Sequence, residues 1–233
     1  MHTIDLARLS LALVPALMVV LVQWRWSLAP GTSLLALARM VLQLCLIGYV
    51  LNYIFAGDQH WIVLLVLSVM LLASSWIALR SVPTRRKDLF SLALFSTVVV
   101  NVAILALITQ LVLQADPWYK PSVVIPIAGM VFATGMNSIS LFAERYFSEI
   151  ANGQQQLSAR GVAYQATLIP IINSLFAVGL VSLPGMMTGQ ILSGVSPMIA
   201  VRYQIMVMLM LFASSGLTAA LFYQLLSYKQ FKQ

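Results

Sequence analysis

The sequence is poor in charge. Asp, Glu, Lys and Arg together make up 8% of its 233 residues, where a soluble globular domain carries about 25%. A globule of this size needs ionised side chains over its surface, so most of this chain cannot face water. Acid is scarcest: the six carboxylates, Asp5, Asp58, Asp88, Asp116, Glu144 and Glu149, all lie at or near the ends of apolar runs. None sits in the middle of a run, where proton- and sodium-coupled carriers place a relay, and this disfavours a secondary carrier.

Other absences exclude further classes. No Gly-x-x-x-x-Gly-Lys-Ser/Thr loop is present, so the chain cannot bind and hydrolyse ATP in the usual way. The last apolar run holds no lysine for a retinal Schiff base. His2 and His60 are distant in sequence, and no His/Cys/Asp/Glu cluster forms a metal-site motif. No Ser/His/Asp set shares a helical face, which speaks against an intramembrane hydrolase. Neither an enzyme nor a cofactor is implied. Cys45 is the only cysteine; it permits no intrachain disulfide and reads as a buried structural thiol. No basic region precedes the first apolar run and no cleavage site precedes Trp24, so residues 5–24 read as a retained first span.

What the chain does have is apolar length: 61% of its residues are hydrophobic and the mean hydropathy is +0.95. A helical span takes about 20 apolar residues. The runs place spans at 5–24, 32–55, 61–79, 89–114, 122–143, 165–192 and 200–226. The expectation is an all-α, polytopic membrane protein of about seven transmembrane helices, forming one transmembrane domain over 1–233. The formal charge of +7 does not indicate nucleic acid, because the basic residues are spread between apolar runs rather than clustered on a soluble face. They fit the positive-inside rule instead. With the N-terminus outside, Arg25, Arg39, Arg80, Arg85, Arg86, Lys87, Arg145, Arg160, Lys229 and Lys232 fall inside. Only Arg8, Lys120 and Arg202 fall outside. The expected orientation is therefore N-out, C-in, and the composition suits a bacterial inner membrane.

Within the runs, Arg39 and Gln43 are four residues apart and share a helix face. Two readings fit them: snorkelling to inner headgroups, or a helix contact or gate. Asn101, Gln110, Asn137 and Asn173 either hydrogen-bond between helices or line a pathway. The segment 179–197 is the most unusual. Gly179, Pro184, Gly185, Gly189, Gly194 and Pro197 interrupt it, and it reads as a broken or flexing helix that either spans or re-enters. Gly185 and Gly189 form a small-xxx-small pair suited to close helix approach, which a bulky side chain at Gly185 is expected to block. Twelve methionines serve flexible packing or bind soft metals. The longest polar stretch, Glu144 to Arg160, reads as a short cytoplasmic surface helix plus turn.

At these residues the chain resembles the iron-export ABC-transporter permeases of the FetB type, whose relatives include plant permeases linked to aluminium tolerance. The run Val178-Gly-Leu-Val-Ser-Leu-Pro-Gly-Met-Met-Thr-Gly-Gln190 carries most of the likeness. Leu168-Ile-Pro170, Asn173-Ser174, Tyr203-Gln204-Ile-Met206 and Val124-Ile-Pro-Ile-Ala-Gly-Met130 add to it. The resemblance implies a permease that dimerises and pairs with a separate P-loop ATPase to drive a metal ion such as iron out of the cytoplasm. It makes Arg39, Gln43, Asn173 and Gln204 pathway or gate candidates. Glu144, Arg145, Glu149 and Arg160, in the segment 144–162, become ATPase-contact candidates. Two departures stand out. Ala133-Thr-Gly-Met136 replaces a Gly-Asn-x-Met element. Between Glu149 and Thr167 the chain is shorter by roughly a helix and lacks the Leu-Gly-Ala of a coupling helix. The alternative is thus a divergent scaffold, passive pore or regulatory subunit that has lost ATPase coupling.

Overall fold

The computed structural model describes residues 5–56 and 59–231. Its described residues are helical, with no strand beyond a single bridge between Val178 and Ser182. Six helices are long and apolar enough to cross a membrane: Arg8–Arg25, Gly31–Val50, His60–Ser81, Pro83–Val112, Pro121–Ala151 and Pro197–Lys229. The chain divides into two compact units, Met1–Gly57 and Asp58–Gln233.

The first unit contains α1 (Leu6–Ser10), α2 (Leu13–Arg25) and α3 (Gly31–Ala56). Among its described side chains only Ile54 is buried. Helices that are apolar on every face suit lipid as solvent. This corrects the expectation for Cys45, which is exposed: a thiol behaves as a small hydrophobe and is compatible with a lipid-facing position.

The second unit is built on four long helical segments. α4 (His60–Ala78) leads through two short 3-10 turns into α5 (Arg86–Thr97). The same rod continues through a π-helical turn at Val98–Val102, one α-helical turn, α6 (Ala103–Ala106), and a second π-helical turn at Leu107–Val112. α7 (Pro121–Ala151) starts on a proline at its first position, where the missing N–H costs nothing. At 1.5 Å per residue it is about 46 Å long, longer than the ~30 Å hydrocarbon core. It ends in a Schellman turn. Gly153 takes φ +82°, its N–H donates to the Ile150 carbonyl, and the Gln154 N–H donates to Glu149. α8 (Gln156–Ala177) follows directly. The short surface helix expected within 144–160 is therefore absent; two long helices run into that segment and leave only residues 152–155 between them.

The span expected at 165–192 is also corrected. It is not one helix. α8 begins nine residues earlier and stops at Ala177; a loop covers 178–184; α9 (Gly185–Leu192) follows, then α10 (Pro197–Phe231). In the loop, the N–H groups of Leu180, Val181 and Ser182 all converge on the Ala177 carbonyl, at 3.2, 2.8 and 3.2 Å. This fold-back meets the need for paired backbone groups where a helix is interrupted. Gly179 sits at φ +82° and Gly194 at φ +89°, a region glycine enters without steric cost. Gly194 closes α9 in a second Schellman turn, with the Val195 N–H donating to Gln190.

α7 is the central post, with α4, α8 and α10 packed on it. At one end, Ala143, Ala159, Ala163 and Ala219 have no exposed surface; such small residues let helices approach closely. They surround an aromatic cluster of Phe142, Tyr146, Phe222 and Tyr223, with Phe142 and Tyr146 stacked at 5.8 Å.

Candidate transport cavity

Pro170 and Ser174 shape the middle of α8. Pro170 lies inside the helix and takes one donor out of the ladder; the Ser174 hydroxyl donates back to the Pro170 carbonyl at 2.9 Å. Beyond Ser174 the helix ends, and the loop and α9 turn back beside α10. The result is a cavity of about 550 Å³, lined wholly by residues of the second unit. Its polar groups are Asn173 and Ser174 from α8, Ser182 from the loop and Gln204 from α10. Met130, Met186 and Met208 also line it, from α7, α9 and α10. Gln204 is 5% exposed and its Oε1 has no hydrogen-bond partner.

Two further cavities adjoin. An apolar one of about 320 Å³ shares Val178, Gln204 and Met208 with the first, so these three side chains form part of both walls. On the other side, a cavity of about 240 Å³ shares Ser174, and its lining adds Thr134, Asn137, Ser138, Thr167 and Ser215. The Ser138 and Ser215 hydroxyls meet at 2.8 Å. Towards the aromatic end of the unit, a cavity of about 420 Å³ is lined by Arg160, Tyr164, Gln165, Tyr223 and Gln224 among others. Uncharged amides and hydroxyls thus follow the groove between α7, α8 and α10, with a cation at its end.

The structure brings Asn173 and Gln204 to one cavity. Arg39 and Gln43 lie in the first unit, one turn apart at exposed positions of α3. Gly179 lines the apolar cavity; Pro184, the residue before α9, and Gly185 line the main one. Among the described residues the close approach expected at Gly185 and Gly189 is absent, because a Cβ added at either would meet nothing within 4 Å. Arg145 pairs with Glu149 at 2.7 Å along α7, Glu144 is exposed, and Arg160 lies over the Tyr223 ring at 5.5 Å. Other basic residues gather at this end. Arg85 stacks over Phe147 at 4.5 Å, Arg86 over Trp76 at 3.8 Å, and Lys229 donates to the Asp88 carbonyl at 2.9 Å.

Of the polar residues singled out in sequence, Asn101 bonds between helices: its Oδ1 accepts from Ser214 and Thr218 of α10. Gln110 instead donates to its neighbour Thr109. Sequence reasoning missed Met130, Ser182, Thr134, Ser138, Thr167 and Ser215. Small hydroxyls four apart, as at Thr134 and Ser138, were the available signal, but in a membrane helix they resemble ordinary packing residues.

Comparison with known proteins agrees with this architecture. The model of the family described as "Uncharacterised protein family (UPF0014)" matches residues 6–231. The chain is 36% identical over 215 residues to the "UPF0014 membrane protein slr1647" of Synechocystis, covering 86% of this chain and 83% of the relative. It is 33% identical over 233 residues to the "Probable iron export permease protein FetB" of Escherichia coli, covering 93% and 88%. It is also 30% identical over 228 residues to "Protein ALUMINUM SENSITIVE 3" of Arabidopsis thaliana, covering 89% and 81%. No solved structure matches the chain. A match over nearly the whole length, on a chain with six helices able to cross a bilayer, makes it an integral membrane protein of the UPF0014 family.

Proposed function

We propose that this chain is the permease subunit of an ABC exporter. It works as a homodimer with a separate P-loop ATPase, and its cargo is a metal ion. The observation that carries this reading is the groove between α7, α8 and α10. Asn137, Gln165, Asn173 and Ser174 are exposed along it, in helices otherwise built for lipid. Unpaired amides facing hydrocarbon are costly, so such a line suits a water-filled path or a protein-covered one. A second copy of the chain would enclose it. The name of the E. coli relative supplies the cargo class, iron for that protein.

In this reading the loop 178–184 and α9 are the moving part, and Asn173 and Gln204 act as pathway or gate. Non-helical backbone beside a cavity is how many transporters change access. The basic end, with Glu144, Arg145, Glu149 and Arg160, meets the ATPase on the cytoplasmic side; N-out, C-in needs an odd number of crossings, and α8, with 22 residues, makes the seventh. The test is purification of the tagged protein from its native membrane in mild detergent, followed by an ATPase assay. A bound P-loop ATPase whose activity falls when Glu144 to Arg160 is altered supports the reading.

One observation favours a second reading. The direct α7–α8 connection through residues 152–155 leaves no separate helix to insert into an ATPase groove. Recovery without any ATPase, from membranes that contain it, would favour a scaffold, pore or regulatory subunit no longer coupled to a motor.

A further inference from the structure

We propose that the cavity between α8, α9 and α10 binds a soft, singly charged metal cation of the Cu(I) or Ag(I) class through the thioethers of Met130, Met186 and Met208. This rests on the reading that the cavity receives a metal-ion cargo, and it departs from the iron named for the E. coli relative. Three different helices each place one methionine in the wall of the same cavity. Thioether sulfur is neutral and polarisable and selects soft cations, whereas hard ions such as Mg²⁺, Fe³⁺ or Al³⁺ favour charged oxygen donors. Methionine also fills gaps in packed cores, and Met208 is largely buried, but all three line one cavity beside polar side chains.

The remaining lining agrees. Asn173, Ser174, Ser182 and Gln204 offer neutral oxygens, and no Asp, Glu, His or Cys is among the residues around the cavity. No cluster of three such residues occurs among the described residues either. Moving an ion out of water costs more as its charge rises, and a bare divalent or trivalent ion would find no carboxylate to offset that cost. A monovalent ion loses least. Gln204 gives a second, independent observation. It is 95% buried, by its 5% exposure, with an Oε1 that accepts no hydrogen bond. A buried acceptor without a donor asks for an explanation. A small rotation of the side chain would offer that oxygen to a cation held by the thioethers.

The test is silver-ion titration of the detergent-purified full chain carrying Cys45→Ser, so that the exposed thiol does not compete. Saturable binding of one equivalent is expected, undisturbed by a large excess of Mg²⁺ or Fe²⁺, with sulfur as the nearest neighbour in X-ray absorption. Replacing Met130, Met186 and Met208 together by leucine, a swap of similar volume, removes every soft donor of the proposed site and should abolish saturable binding. Replacing Met206 and Met210, which line a different cavity, should leave it unchanged. Equal binding by the triple variant, equal loss in the Met206/Met210 control, or displacement by equimolar Fe²⁺ would each overturn the assignment. Binding is read on the permease alone. A missing ATPase therefore leaves this inference standing, while failure to bind silver by a protein that does recruit an ATPase sinks only the cargo assignment.

Discussion

Asn101 and Ser214 are joined at the buried centre of the second unit, where the Ser214 hydroxyl lies 2.8 Å from the Asn101 Oδ1. The same oxygen accepts from Thr218 at 3.1 Å, and Ser214 also reaches the Val131 carbonyl at 3.1 Å. One amide thus ties the π-helical turn Val98–Val102 to α10 and, through the shared hydroxyl, to α7. The Asn101 Nδ2 has no partner. Hydrogen bonds between membrane helices contribute about 0.6 kcal/mol on average and ~1.7 at most. Ser214→Ala should therefore cost an amount in that range, measured by unfolding in mixed micelles. Asn101→Ala and Ser214→Ala together should cost less than the sum of the two singles. Full additivity would show that the pair does not couple.

Gly135 faces this amide. A Cβ added there would run into the Asn101 carboxamide, with all three of its polar-group heavy atoms in close range. Gly135→Ala should destabilise by about 1–3 kcal/mol, as overpacked sites do. Gly161, in the body of α8, provides the contrast because a Cβ there meets nothing within 4 Å. Gly161→Ala should stabilise by up to about 1 kcal/mol, the cost glycine imposes in a helix interior. Opposite shifts in thermal stability of the two variants are the expected result.

The helices were legible because their apolar runs are long and their stops are chemical. Gly153 and Gly194 close two helices in Schellman geometry. The break near Pro184 was equally plain. Two features were not. α8 extends back through Gln156, Ser158 and Arg160, where polarity suggests a short surface helix and turn, because packing on α7 and α10 overrides local composition. Soft-metal binding by methionine was legible, but not which methionines share a cavity, because Met130 and Met208 are 78 positions apart and nothing local signals that α7 and α10 meet there. Asn173 and Gln204 could be picked out because amides are rare within apolar runs.

Gly185 and Gly189 separate two mechanisms for the same phenotype. If close helix approach within the chain mattered, leucine at either position would be harmful, yet both face open space. Gly185 lines the main cavity and Gly189 does not. Gly185→Leu should abolish transport by filling the cavity while membrane insertion stays normal. Gly189→Leu should retain most transport in reconstituted vesicles. Equal loss in both, with expression unchanged, would instead place a second copy of the chain against α9.

Gln204 distinguishes a pathway residue from a structural one. Its Oε1 is buried without a partner, so the folded state gains nothing from that oxygen and bears its desolvation. Gln204→Leu should therefore be neutral or mildly stabilising in a thermal melt. A purely structural amide would behave the other way, losing stability with its hydrogen bonds. In transport the order reverses: leucine would seal the wall shared by the polar and apolar cavities with hydrocarbon, and export from vesicles should fall steeply. Gln204→Asn, which keeps the amide on a shorter stem, should recover part of that flux. A Gln204→Leu protein that melts later and exports normally would remove this residue from the pathway and leave Asn173 and Ser174 to define it.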